Sequence, residues 1–402
     1  MDWKDTPEQA AFRTEVQEVI RTRLPGRYRE LAAAGQVEGR AWEFDRKSED
    51  AAHRAASTEW HGALSERGWV APHWPKEYGG AGLTSMEQFI LNQEIARAGA
   101  PNVGGSGVSL LGPTLIVHGT DEQKRRYLPP ILGGAVTWAQ GYSEPGSGSD
   151  LASLQTRAVR DGDDFVINGQ KIWTSAAHTA DAIFALVRTD PEAPKHRGIS
   201  FVLIDDIKTP GITIRPLVDM SGGHYFNEVF FDNVRVPATN IVGELNRGWY
   251  VGMTLLDFER SNIGGAVAAR RTLLRLLDLI KSDKTVARRA ASGAIRQEIA
   301  QRYIETEVMF QYSFRVISMQ ARGEIPNYEA STAKLFNSEL SQRLSQTAMQ
   351  CLGLKGNLMD ADEESASFPK AYLGTVPATI RGGTSEVQRN VIATRGLGLP
   401  RG

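Results

Sequence analysis

Residues 141–150, GYSEPGSGSD, hold three glycines, three serines and one proline, with no Ala or Leu. Backbone of this composition is costly to order, because glycine loses more conformational freedom than any other residue. Such a run is either a plain turn or a cradle whose backbone N–H groups face a ligand. Gly146-Ser147-Gly148 does not extend to a G-x-G-x-x-G that opens a helix. Ser331-Thr332-Ala333-Lys334 has the S-x-x-K spacing of a serine nucleophile, but the S-D-N and K-T-G partners are absent, which leaves an ordinary helix start. No G-x-S-x-G elbow and no G-x-x-x-x-G-K-[ST] loop occurs. The seven histidines are scattered with no H-x-x-x-H pair, and Cys351 is the sole cysteine. Metal chemistry and intramolecular disulfides are therefore not expected, and no metal-ligating residues are assigned. In LLDFERSN, Glu259 precedes Arg260, with Asp257 three residues before the arginine. Taken alone these would be a solvated helix pair, although Leu255, Leu256 and Phe258 imply apolar surroundings that raise a carboxylate's pKa.

Three regions must position these residues. From the start to about residue 134 the spacing is helical: Thr6-Pro7-Glu8-Gln9 predicts an N-cap, a proline at the first helical position and a reciprocal Gln, and Phe12, Val16, Val19, Ile20 and Leu24 recur at helical intervals. RGWVAPHWPKEYGG interrupts the helices before MEQFILNQEIARAG and Asp121 to Leu132 resume them. From 135 to 240 short β-branched and aromatic runs (FVI, AIFALV, ISFVLI, ITI, EVFF) are separated by turn pairs such as Asn168-Gly169, which predicts an antiparallel barrel or sandwich. From 241 to 402 long amphipathic helices return in LLRLLDLI, IRQEIAQRYIETEVMF and LFNSELSQRLSQTAM. Nothing alternates as βαβ, which disfavours a doubly wound dinucleotide-binding sheet. With 46 basic and 47 acidic residues in 402, the chain has no electrostatic footprint for nucleic acid. The lone cysteine, the absence of a long apolar run and an N-terminus unlike a signal peptide lead to the expectation of a cytoplasmic, non-membrane protein.

YSEPGSGSD followed by TRAVRDGDDFVINGQKIWTS resembles the most recognisable segment of the acyl-CoA dehydrogenase flavoproteins. The resemblance extends through GWVAPHWPKEYGGAGL, HGTDEQKRRYLPPILGG and GGTSEVQRNVIATRGLGLP, in the order the family has them. It implies an α+β fold: an N-terminal α-helical domain, a central antiparallel β-domain and a C-terminal four-helix bundle. It also implies FAD as cofactor and electron-transfer flavoprotein as electron acceptor. By motif, Gln140, Tyr142 and Ser143 would face the flavin ring, and Gly148 and Ser149 would approach the pyrophosphate and the thioester. Trp173 and Ser175 would flank the flavin. Gln350 and Gly353 match the Q-x-x-G segment, and Thr384 and Glu386 match the terminal flavin contacts. SDKTVARRAASGAIRQ lacks the family's R-x-x-F-G motif for the neighbour's FAD phosphates, leaving Arg288, Arg289 and Arg296 as alternatives.

The reaction implied is α,β-dehydrogenation of an acyl-CoA thioester to the trans-2-enoyl-CoA. A carboxylate takes the α-proton, and the β-hydrogen leaves as hydride. The family's common base precedes GTS, where this chain has Gly382. Relatives acting on branched or long acyl chains, bacterial FadE-like enzymes among those resembled, carry it on a C-terminal-domain helix before an arginine. That position assigns the base to Glu259, with Asp257, Arg260 and Ser149 toward the substrate. Moving the base favours branched, alicyclic or bulky acyl groups. Arg381, directly before Gly382, is either a surface ion-pair residue or a contact for a polar acyl tail. A homotetramer or homodimer is expected, with a heterotetramer as an alternative. The rival functions are a non-catalytic subunit of a mixed oligomer and an oxygen-reacting oxidase or monooxygenase on the same scaffold.

Overall fold

The protein is described here by a computed structural model over residues 4–35, 40–254, 263–359 and 367–400. Asp257, Glu259 and Arg260 lie outside the described residues. The chain forms two compact units, one from 1–38, 83–101 and 260–402 and one from 39–82 and 102–259.

The second unit is built on an eight-stranded sheet: β1 (Trp138–Gly141), β2 (Arg157–Asp161), β3 (Asp164–Ser175), β4 (Ala182–Arg188), β5 (Ile199–Ile204), β6 (Ile212–Val218), β7 (His224–Pro237) and β8 (Ile241–Val242). The order runs β6-β7-β3-β2-β4-β5-β8, with β1 also on β4. Pairing is mostly antiparallel, but β1 and β2 each meet β4 in parallel. β4 and β5, AIFALVR and ISFVLI, are buried at every position, so both faces are covered and the sequence has no polar alternation. Ile183, Ala185, Val187, Val202 and Ile204 form a core with Val229, Phe231 and Val234 of β7.

Asn168-Gly169 reads as a turn pair, yet β3 runs straight through it. The residues form a bulge instead: the register against β7 shifts between Ile167 and Gly169, where Gly169 has φ +146°. A Cβ there would lie 2.7 Å from the Thr156 backbone, so glycine is required for close approach. Across the pair, Asn233 (φ 54°) donates its N–H to Asn168 Oδ1 at 2.8 Å, and Asn168 Nδ2 donates to Asn233 Oδ1 at 3.3 Å. Two turn-forming residues thus satisfy one another inside a long antiparallel pair of strands distant in sequence.

In the same unit the helix Asp121–Leu132 is capped reciprocally by Thr120 and Gln123, and Gln123 also donates to the carbonyls of Thr239 and Ile241. The glycine- and proline-broken stretch around Trp74 becomes a buried wedge. The Trp74 indole donates to Val108 O at 3.1 Å beneath a π-helical turn, Gly107–Leu111, and only a glycine at 112 leaves room for the ring.

The first unit is helical. The N-cap of Pro7–Arg23 is the predicted Thr6–Gln9 capping box. Helices Ser85–Ala98, Ile263–Ser282, Gly293–Ala321 and Tyr328–Leu352 bury Phe89, Ile263, Leu273, Met309, Phe310 and Leu340 in one core. Arg13 fastens the first helix to this layer, with ion pairs to Asp5 and to the buried Glu94, both at 2.6 Å.

Candidate active site

The glycine loop grows out of β1, whose register against the fully buried β4 places Gln140 opposite Phe184 and Gly141 opposite Ala185. Tyr142 turns its ring into the sheet, edge-on to Phe184 and Phe201, so what it can present to a ligand is backbone. Ser143 is half-buried and its carbonyl accepts from Ile172 N at 2.9 Å, which makes the loop's start a short extension beside β3. Glu144 and Ser147 close a tight turn through two backbone hydrogen bonds of 2.9 Å. Ser147 Oγ then donates to Asp150 O at 2.9 Å, and Lys195 pairs with the Asp150 carboxylate. Between these fixed points Gly146, Gly148 and Ser149 are exposed. A Cβ built on Gly146 or Gly148 would meet nothing within 4 Å. The glycines are therefore not demanded by the protein's own packing. They leave open a strip of accessible backbone.

The strand that follows carries local strain. Trp173 and Ala176 are non-glycine residues at positive φ, 59° and 54°, the first inside a register shift between Lys171 and Thr174 and the second just beyond it. Such conformations cost energy and concentrate at ligand clamps. The result is a Trp173 side chain 59% exposed, held edge-on to Phe226, instead of a core aromatic. Beside it the buried Thr174 Oγ1 has no hydrogen-bond partner among the described residues, and Ser175 is half-buried. An open backbone strip, a projecting indole and an orphaned hydroxyl on adjoining segments fit a planar cofactor carrying a pyrophosphate, as FAD is. The segment continues to His178, which stacks on His224 at 4.0 Å, with Asn227 bonded to both rings. Burial first, then the neighbouring His224, pushes the His178 pKa below the usual imidazole value.

The remaining predicted contacts belong to the helical unit. Gln350, Gly353 and Cys351 stand at the C-terminus of Tyr328–Leu352. Of the three arginines left open by the sequence, Arg289 is the one bonded here: its Nε donates to Gln350 O at 3.1 Å, and a Cβ on Gly353 (φ +57°) would meet its guanidinium at 2.5 Å. The signal that would have found it is Arg289-Ala-Ala-Ser292-Gly293, which keeps the R-x-x-F-G spacing with Ser in place of Phe. Thr384 caps the Ser385–Val391 helix by accepting from Val387 N, and Glu386 sits in that first turn with its pKa lowered by helix N–H groups and the Thr384 hydroxyl. Thr384, Glu386, Gln342, Arg343 and Arg389 line a polar cleft of about 440 Å³. Arg381 is exposed, with no ion pair among the described residues. Lys334, from the S-x-x-K motif, donates to Gly383 O at 2.5 Å and Ala378 O at 3.3 Å, and so pins the turn that contains Gly382. At Gly382 (φ +64°) a Cβ would find only Lys334 Cε, 4.0 Å away.

The acyl-CoA dehydrogenase N-terminal, middle and C-terminal domain families match residues 6–135, 139–234 and 246–397. Acyl-CoA dehydrogenase IpdE1 of Mycobacterium tuberculosis is 39% identical over 97% of both chains. This chain belongs to the acyl-CoA dehydrogenase family. Members are oxidoreductases of CH–CH bonds, and the enzyme shares their fold: a helical N-terminal region, a central mostly antiparallel sheet and a helical C-terminal region. A solved Tcur3481-Tcur3483 steroid ACAD superposes with a TM-score of 0.84 at 34% identity, covering 100% of both chains. The ChsE4-ChsE5 complex from Mycobacterium tuberculosis gives a TM-score of 0.81 at 33% identity, again over 100% of both. Among the described residues no cluster of His, Cys, Asp or Glu could hold a metal, and no helix is long and apolar enough to cross a membrane.

Proposed function

We propose that the enzyme oxidises a bulky, alicyclic acyl-CoA thioester, of the steroid-derived kind, to its trans-2-enoyl-CoA with FAD as cofactor and electron-transfer flavoprotein as acceptor. The observation that carries the substrate class is Gly382. The turn leaves an open, side-chain-free position where the common base would otherwise project, and the similarity to a steroid ACAD agrees with a roomy pocket. Residues 135–240 would carry the flavin and thioester site and 241–402 the base. Glu259 takes the α-proton, with Asp257, Arg260 and Ser149 toward the substrate. Backbone N–H groups near Gly148 and Ser149 meet the pyrophosphate, and Gln140, Tyr142, Ser143, Trp173 and Ser175 border the ring. Gln350, Gly353, Thr384 and Glu386, with Arg289 added, serve the FAD contacts of the helical unit. Bound FAD would supply the two-electron acceptor for the β-hydrogen. The test is anaerobic: a panel of acyl-CoAs is followed at the flavin absorbance. Polycyclic thioesters should bleach the purified protein faster than short straight chains, and a preference for butyryl-CoA would overturn the assignment.

A second reading, a subunit that acts only beside a different chain, is favoured by the similarity to the ChsE4-ChsE5 complex. FAD stoichiometry and light-scattering mass of the enzyme alone decide it. One FAD per chain in a homo-oligomer argues against a partner.

Arg381 supplies a selectivity test. An exposed guanidinium without an ion pair among the described residues, on the turn pinned by Lys334, is suited to an acyl tail bearing a carboxylate. Arg381→Ala should lower kcat/KM for carboxylate-bearing acyl-CoAs by about tenfold relative to plain ones. An unchanged ratio would mean that the residue serves only the surface.

A further inference from the structure

Lys171 is fully buried on β3, where strand alternation calls for an aliphatic side chain. Its stem runs past Gly141, where an added Cβ would lie 3.5 Å from Lys171 Cγ, an ordinary contact. Its Nζ donates to Tyr142 O at 3.1 Å and to Glu144 Oε1 at 2.8 Å. Glu144 is 8% exposed, and its carboxylate also accepts from Thr156 N at 2.9 Å and Gln155 N at 2.6 Å. One carboxylate thus ties the beginning of the loop to its end twelve residues on, and one ammonium straps that knot to the strand bearing Trp173. An apolar pair of similar volume would serve the sheet as well or better, because burying two charges costs about what their attraction returns. A fold that keeps the charges gains from them a fixed geometry.

We propose that Lys171 and Glu144 are positioning residues that hold the loop from Tyr142 to Thr156 in the shape that receives the cofactor, so that removing the pair weakens retention of FAD more than it weakens the sheet. The inference rests on the flavin reading for its ligand, though the clamp itself does not. Burial lowers Lys171 to about 8, against the opposing pull of Glu144, and Arg188 of β4 adds a second positive charge facing it. Burial pushes Glu144 up, yet Lys171 and the two backbone donors hold it below the ordinary carboxylate value. The sign is informative. Because the folded pKa of Lys171 lies below its unfolded value, this group contributes more to fold stability, not less, as pH rises through 8. The strap loses its charge over the same range.

The experiment compares wild type with Lys171→Met/Glu144→Gln, which removes both charges and leaves neither orphaned. Amide hydrogen exchange is measured on the flavin-free protein, and FAD is titrated into it at pH 7 and pH 9. The expected result is faster exchange across 143–156 with β4 and β5 unchanged, and about tenfold weaker FAD binding at pH 7. Wild type should also lose FAD affinity between pH 7 and pH 9 while its melting temperature does not fall, and the variant should show no such loss. Lys171→Met alone, which leaves Glu144 charged, should be the less stable of the two variants. Wild-type exchange in the loop of the double variant overturns the clamp. Faster exchange with unchanged FAD affinity overturns its link to the cofactor. A wild-type chain that takes up no FAD would refute the flavin reading, and the exchange comparison would still decide the clamp.

Discussion

Glu259→Gln protein is expected to purify yellow, to bind acyl-CoA, and to reduce its flavin on the order of 10²-fold or more slowly than wild type. The substitution keeps size and hydrogen bonding and removes basicity alone. An α-proton is weakly acidic, so without a positioned base its removal should fall to the residual rate that binding and carbonyl polarisation sustain. Glu259 is proposed by exchange with the family's common position. The position before Gly383-Thr384 carries no side chain, and Lys334 Cε is the sole atom that an added Cβ at Gly382 would find within 4 Å among the described residues. Stopped-flow reduction with a saturating acyl-CoA is the measurement. A correctly folded, flavin-loaded variant that reduces at near the wild-type rate would transfer the role to another group.

Gly148→Val should be folded, of ordinary stability, and colourless. The position is exposed, its φ is not in the left-handed region, and nothing lies within 4 Å of an added Cβ, so the protein itself has no objection to a branched residue. A valine would fill the strip proposed for the pyrophosphate. Gly169→Val makes the control. At φ +146° and 2.7 Å from Thr156 it should cost fold stability directly. Thermal melting of the flavin-free proteins, paired with FAD titration, separates the two effects. Full FAD occupancy in a well-folded Gly148→Val protein would refute the assignment of the loop.

What the sequence made legible was governed by local rules. The capping box at Thr6 and Gln9, the helix from Asp121 to Leu132 and the buried runs of β4 and β5 follow from residue types within a few positions of one another. The glycine loop was legible by composition. Asn168-Gly169 misled for the same reason: its turn propensity is real, and the partner that absorbs it into a bulge, Asn233, stands 65 residues away. Glu144 and Lys171 had no local signal at all. Their pairing depends on a fold that brings residues 27 apart in sequence together under the loop. Trp173 lay between these cases. Its exposure required the backbone outlier at its own position, which no propensity anticipates.

The bulge at Asn168 also bears on how the enzyme ages. Asn-Gly is the dipeptide most readily converted to a succinimide and then to aspartate, because the glycine N–H is free to attack the asparagine amide carbon. Here the Asn168 amide is bonded at both its oxygen and its nitrogen to Asn233, and the backbone between them is held in a strand. The strand pair that positions Trp173 therefore shields its own most perishable side-chain amide. Damage at Asn168 should accumulate only in chains that have opened there, marking partial unfolding with a permanent gain of one negative charge.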